Sequence, residues 1–192
     1  MPLADLQAAL GTLVAAQACN PALTSMPALQ SLTLTHEETA WLESLIATPG
    51  FRVTCAIQRW WRETRLRDMA QLTIAALGRE QAAHLIAQYL QANLCTSLFF
   101  LPETLGFLRF VEHTTNHPHL SAIAQFERAL LLAKEEASQP PSNDSPQKTI
   151  IGFAAPPIEL FNAILRGQTL PEPSQERFPV LVSSSLPHYW CE

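Results

Sequence analysis

The feature that most constrains the fold is a break in pattern. Residues 138–147 contain no apolar side chain other than proline. A run of that kind cannot bury a face, and it reads as a mobile linker. Before it, apolar residues recur at helical spacing; after it, two β-prone runs flank one short helix. The chain is therefore expected to be mainly α, with a helical domain over 1–137, a linker over 138–148 and a small α/β lobe of β-α-β pattern over 149–192. At 192 residues the chain fits one domain, or one domain with an appendage. The C-terminal lobe is too short for a core of its own, so it should lean on the helical part or on a partner.

Six or seven helices are expected in the first part. Leu6, Leu10, Leu13 and Val14 mark a helix over 3–18, ahead of an irregular stretch over 20–34. Thr35 followed three places later by Glu38 has the form of a capping box, in front of Trp41, Leu42, Leu45 and Ile46. That helix should stop at Pro49 and Gly50. A helix carrying Trp60 and Trp61 should follow, with a break near 66–68 and an end at Gly78; a further one is expected over 81–93. Pro102 and Pro118 stand at first-turn positions of two more. In the tail, 149–154 and 178–183 read as strands, and Pro156 and Pro157 open the helix between them.

The helix over 50–65 holds four of the chain's ten arginines, against only two lysines overall, together with the tandem tryptophans. Projected at 3.6 residues per turn, Val53, Ile57, Trp60, Trp61 and Thr64 fall within roughly 100°. The expectation is that this apolar arc faces a core. Arg52, Arg59, Arg62 and Arg65 then face outward, either as a solvated face neutralised by Glu63 and Asp68 or as an anchor for acidic groups of another chain. Arginine suits planar contacts to carboxylates and is enriched at interfaces, so the second reading is preferred. Arg52, Arg59, Arg62, Arg65 and one tryptophan, Trp61, are the partner-binding candidates.

Only 15% of residues are charged while 47% are hydrophobic, which hints that part of the surface is covered by a permanent partner. A net charge of -5 weighs against phosphate-backbone binding by the whole chain. Cys19, Cys55, Cys95 and Cys191 are too widely spaced to form a legible zinc or disulfide pattern, so a reducing cytoplasm is the default. The N-terminal helix lacks a positive n-region and carries Asp5, which argues against a signal peptide. No apolar run reaches membrane-spanning length.

Chemistry-bearing motifs are few. His113, His117 and His119 form the one clustered candidate for a metal, but Asn116 and Pro118 break the helix between them, and surface and capping roles are preferred. No G-x-S-x-G, P-loop or G-x-G-x-x-G is present. An enzyme acting alone is not expected, and no cofactor is expected in this chain. The run 179–183 reads either as an edge strand able to accept an extended peptide or as a two-stranded unit closed by the protein's own loops. Val180, Leu181, Val182 and Ser183, with His188 and Trp190 beyond them, are the peptide-binding candidates.

Three segments carry a family resemblance. They are Gly50, Phe51, Arg52, Val53 and Thr54 with Ile57, Gln58, Arg59 and Trp61; the pair Pro156 and Pro157 ahead of 158–165; and Val180, Leu181 and Val182 followed by Leu186, Pro187, His188, Tyr189 and Trp190. Together they resemble the MbnC-type partner subunits of methanobactin biosynthesis, which pair with the multinuclear iron-dependent oxidase MbnB. The resemblance implies a non-catalytic subunit that binds the oxidase and the leader of a precursor peptide. The iron would belong to the oxidase, which converts precursor cysteines to oxazolone and thioamide groups in a copper-chelating product. The alternative from another class is a helical DNA-binding or regulatory module using the arginine helix, which the acidic balance disfavours.

Overall fold

The computed structural model describes residues 3–19, 35–93, 100–140 and 145–192. The irregular stretch expected over 20–34, the centre of the expected linker at 141–144, and Cys95 lie outside the described residues. The rest is mainly helical with a small antiparallel sheet: α1 (Leu3–Cys19), α2 (His36–Ile46), α3 (Pro49–Met69), α4 (Gln71–Leu77), α5 (Arg79–Ala92), α6 (Phe100–Thr114), α7 (Pro118–Ser138), β1 (Lys148–Phe153), α8 (Pro157–Leu165), β2 (Phe178–Ser183) and β3 (Trp190–Cys191).

Local signals place most helix ends. The Thr35 hydroxyl accepts from the Glu38 N–H at 3.2 Å while the Glu38 carboxylate takes the Thr35 N–H at 2.8 Å, closing the capping box that starts α2. These contacts hold the Glu38 carboxyl below its ordinary value. Pro49 and Gly50 do not merely end α2, because they form the first turn of α3, where the missing proline N–H costs nothing. The break expected near 66–68 falls at Ala70, and Gly78 ends α4 at a φ of 74°, which an L side chain rarely adopts.

The chain divides into two compact units, one from residues 1–65 and 87–98, the other from 66–86 and 99–192. In the first, α1 and α2 pack around Ala9, Leu13, Leu42, Phe51 and Cys55. In the second, α7 is the spine: Ile123, Phe126 and Ala133 meet Ile151 and Phe153 of β1, Leu160 and Ile164 of α8, and Val180 and Val182 of β2. The C-terminal elements thus find their core against helix α7. An aromatic cluster seals it, with Phe126 tilted against Phe161 at 5.0 Å and edge to face with Trp190 at 5.7 Å, and Phe153 edge to face with Phe161 at 5.6 Å.

The sheet has the order β1-β2-β3, antiparallel throughout. Ile151 lies opposite Val180 and Thr149 opposite Val182, so the buried alternation of both strands points at α7 and α8. On the other side of β2, Val182 pairs with Trp190 and Leu181 with Cys191. The intervening turn is tight: the Leu186 N–H donates to Ser183 at 3.3 Å and the Tyr189 N–H to Leu186 at 3.0 Å. Tyr189 takes a φ of 65°, a left-handed conformation that redirects the chain into β3.

Candidate functional site

Helix α3 is turned the opposite way from the expectation. Val53 is 57% exposed, Ile57 50%, Trp60 57% and Trp61 44%, so the broad apolar arc faces outward. The inward residues are Phe51, Cys55, Arg62 and Leu66, all buried. These span an arc of roughly 60° on the opposite side of the helix. That narrow stripe is interrupted by a charge, which is why hydrophobic projection alone selects the wrong face.

Arg62, expected on the partner surface, is 1% exposed. Its Nη1 donates to the Cys19 Sγ at the end of α1 at 3.1 Å, and its Nη2 donates to the Asn93 carbonyl just past α5 at 2.8 Å. The Cys19 thiol in turn donates to the same carbonyl at 3.6 Å, and the Asn93 amide to the Tyr89 carbonyl at 2.9 Å. A buried guanidinium is tolerable only with such partners. Arg62 is therefore a tie between three segments of the first unit.

The other arginines stay at the surface. Arg52 is exposed and donates from Nη2 to the Ala47 carbonyl at 3.2 Å, beside the C-terminus of α2 where a cation is favoured. Arg59 Nε donates to Glu63 Oε1 at 3.0 Å, an i,i+4 pair of half-exposed groups contributing about 0.3–0.5 kcal/mol. The Arg65 guanidinium stands 5.9 Å from the Trp61 ring centroid, and Trp60 meets Trp61 edge to face at 5.1 Å. Alongside runs a groove of about 330 Å³ lined by Gln17 and Ala18 of α1 and by Arg52, Cys55, Arg59 and Trp60 of α3. The surface thus joins an apolar stripe to two cationic heads. Burial pushes the Cys55 thiol in this groove above its ordinary value.

The C-terminal candidates occupy other roles. β2 is the central strand, its outer edge taken along 181–183 by β3 and by the Ser183 N–H donating to the Tyr189 carbonyl at 2.9 Å. Of the two readings, an open edge or one closed by the chain itself, the second holds along 181–183, while 178–180 have no strand partner on that side among the described residues. Val180, Val182 and Ser183 are buried and Leu181 is half-buried. Trp190 is half-buried in the aromatic cluster, while His188 is exposed.

Of the histidines, His113 and His117 are exposed, and the His113 ring bonds the Arg109 carbonyl at 2.7 Å. His119, expected at the surface, is fully buried, with Nε2 2.8 Å from the Pro171 carbonyl oxygen. Burial lowers its pKa, the Pro171 bond opposing, so the ring is neutral and Nε2 carries the donated proton. Among the described residues no three His, Cys, Asp or Glu side chains converge as a metal set, and no helix is long and apolar enough to cross a membrane.

Among the described residues two carboxylates are buried, Glu103 and Glu127, and neither burial is legible in the sequence. Glu127 of α7 accepts the Leu72 N–H on one oxygen and the Thr73 N–H on the other, both at 2.8 Å, and so caps the start of α4 across 55 and 54 residues of chain. Ala70 at the N-cap has no side-chain acceptor to offer. Burial raises the Glu127 pKa despite these bonds.

The fold and surface together define a mainly helical protein with a small antiparallel sheet and one helix whose apolar, arginine-bordered face is turned outward. No protein family, no curated protein and no solved structure matches the chain.

Proposed function

We propose that this chain is a non-catalytic recognition subunit that docks on a partner protein through the outward face of α3. One observation carries the reading: Val53, Ile57, Trp60 and Trp61 stand about half exposed on successive turns of one helix. Apolar patches of this kind mark protein interaction sites, and tryptophan and arginine are among the residues enriched at interface hot spots. Arg52, bonded only to a backbone carbonyl, adds a cationic rim that favours a partner with carboxylates beside its apolar anchor, while Arg59 is neutralised by Glu63.

On the resemblance in the sequence, the partner is an iron-dependent, peptide-modifying oxidase, and the iron stays in that partner. The chain's role is to assemble with the oxidase and its precursor peptide, raising effective concentration and fixing orientation without supplying reacting groups. Co-expression with such an oxidase should yield one co-eluting complex. Trp60→Ala and Trp61→Ala should each weaken it about tenfold or more, the range of a central hot spot. Separate elution of the wild-type chains removes the oxidase as partner, and a complex indifferent to both tryptophans removes α3 as the interface.

A further inference from the structure

A second groove, of about 370 Å³, lies within the second unit between α6 and α7, far from the residues of the α3 surface in sequence. Pro102, Leu105, Gly106 and Arg109 of α6 and Arg128 and Leu132 of α7 line it. Its two charged residues have the same sign. Arg109 is exposed, and its side chain has no partner among the described residues. Arg128 reaches one carboxylate, with Nη2 3.5 Å from Glu112 Oε2, long for a charge-assisted bond. Its Nε–H is buried with no acceptor.

Two guanidinium groups lining one groove repel each other, and an unmet buried N–H adds a further cost. A shared anion offsets that repulsion, because a planar carboxylate offers several lone pairs to the guanidinium N–H groups that face the groove. The remaining lining, Pro102, Leu105 and Leu132, is aliphatic. We propose that the groove between α6 and α7 binds a carboxylate carrying a short aliphatic body, the head held by Arg109 and Arg128 and the body laid against Leu105 and Leu132. That chemistry is shared by a free aliphatic acid and by the C-terminal residue of a peptide ending in an aliphatic side chain. Glu112 sets the selectivity: it occupies one corner of the Arg128 fork and disfavours ligands with more than one negative charge.

The test follows the arginine side-chain Nε–H signals of the full chain by NMR during titration with hexanoate, N-acetyl-leucine, hexan-1-ol and inorganic phosphate. Saturable shifts of the Arg128 signal at millimolar hexanoate or N-acetyl-leucine are expected. The tighter of those two tells a free acid from a peptide terminus. Arg109→Gln, at an exposed position that leaves the fold undisturbed, should weaken the interaction about tenfold or more, as should Arg128→Gln. Equal binding of hexan-1-ol, equal binding of phosphate, absence of any saturable shift, or full binding by the Arg109→Gln variant would each overturn the proposal.

Discussion

Replacing Glu127 by alanine tests whether a carboxylate on α7 holds the start of α4. The side chain is 8% exposed and gives one oxygen to each of two backbone N–H groups at 2.8 Å. Leu72 is half-buried, so water replaces part of what its N–H loses, at a cost of about 1 kcal/mol. Thr73 is fully buried and its N–H is stranded, at a cost of about 2 kcal/mol. Loss of about 3 kcal/mol is therefore expected for Glu127→Ala, measured by urea unfolding followed by far-UV circular dichroism near neutral pH. Glu127→Gln keeps one acceptor and turns an amide N–H₂ toward the other donor, for a loss of about 1.5 kcal/mol. The pKa adds a sign that can be checked. Because burial raises the folded value above the ordinary 4.5, the extra stability of the protonated form is present below that value and is lost as pH rises through the folded pKa. The advantage of wild type over Glu127→Gln should shrink across that window. An alanine variant within 1 kcal/mol of wild type would refute the assignment of Glu127 as the cap of α4.

Arg62→Ala should destabilise the first unit by about 3 kcal/mol, since it leaves the Asn93 carbonyl only the weak Cys19 thiol donor and opens a cavity, whereas Arg52→Glu should change stability by less than about 0.5 kcal/mol; equal denaturation midpoints for the two variants contradict the inward placement of Arg62. His119 is buried neutral with its pKa lowered, so the stability it contributes is complete above 6.5 and is lost as pH falls below that toward the folded value. Thermal melts of wild type should show that decline and His119→Gln should lack it; superimposable pH profiles count against the buried ring. Trp190→Ala should cost about 2 kcal/mol by opening the aromatic cluster with Phe126 and Phe161, read by loss of near-UV dichroism. An unchanged near-UV spectrum would place that ring outside the core.

What could be read from the sequence was what is decided locally. The Thr35 and Glu38 capping box closes within four residues, Pro118 fixes the first turn of α7, and the β-prone runs and the helix between them follow from short apolar patterns. What could not be read depends on distant partners. The acceptors that make Arg62 a core residue come from positions 43 and 31 residues away, so the periodicity of α3 offered only its larger apolar arc. His119 was hidden for the same reason, its carbonyl partner lying 52 residues on. β3 is two residues long, too short for any alternation to show, yet it is what closes the edge of β2. Of the residues expected on the outward face of α3, Arg52, Arg59, Trp61 and Arg65 are not buried and Arg62 is, while Val53, Ile57 and Trp60, expected in a core, are exposed.

The outward placement of the paired indoles has a spectroscopic consequence. Trp41, Trp60 and Trp61 are all half exposed, whereas Trp190 is packed against the buried core of the second unit. Emission from the isolated chain should therefore be dominated by water-relaxed indoles, red-shifted and open to collisional quenching by iodide. A macromolecule that covers α3 would shift the emission to the blue and shield it from the quencher with no dye attached. Trp41 sits on α2 rather than α3, so Trp41→Phe should leave that response intact while Trp60→Phe and Trp61→Phe each remove part of it. On the proposed role of α3, the chain would report that helix's occupancy itself, and binding screens could be run on unlabelled protein.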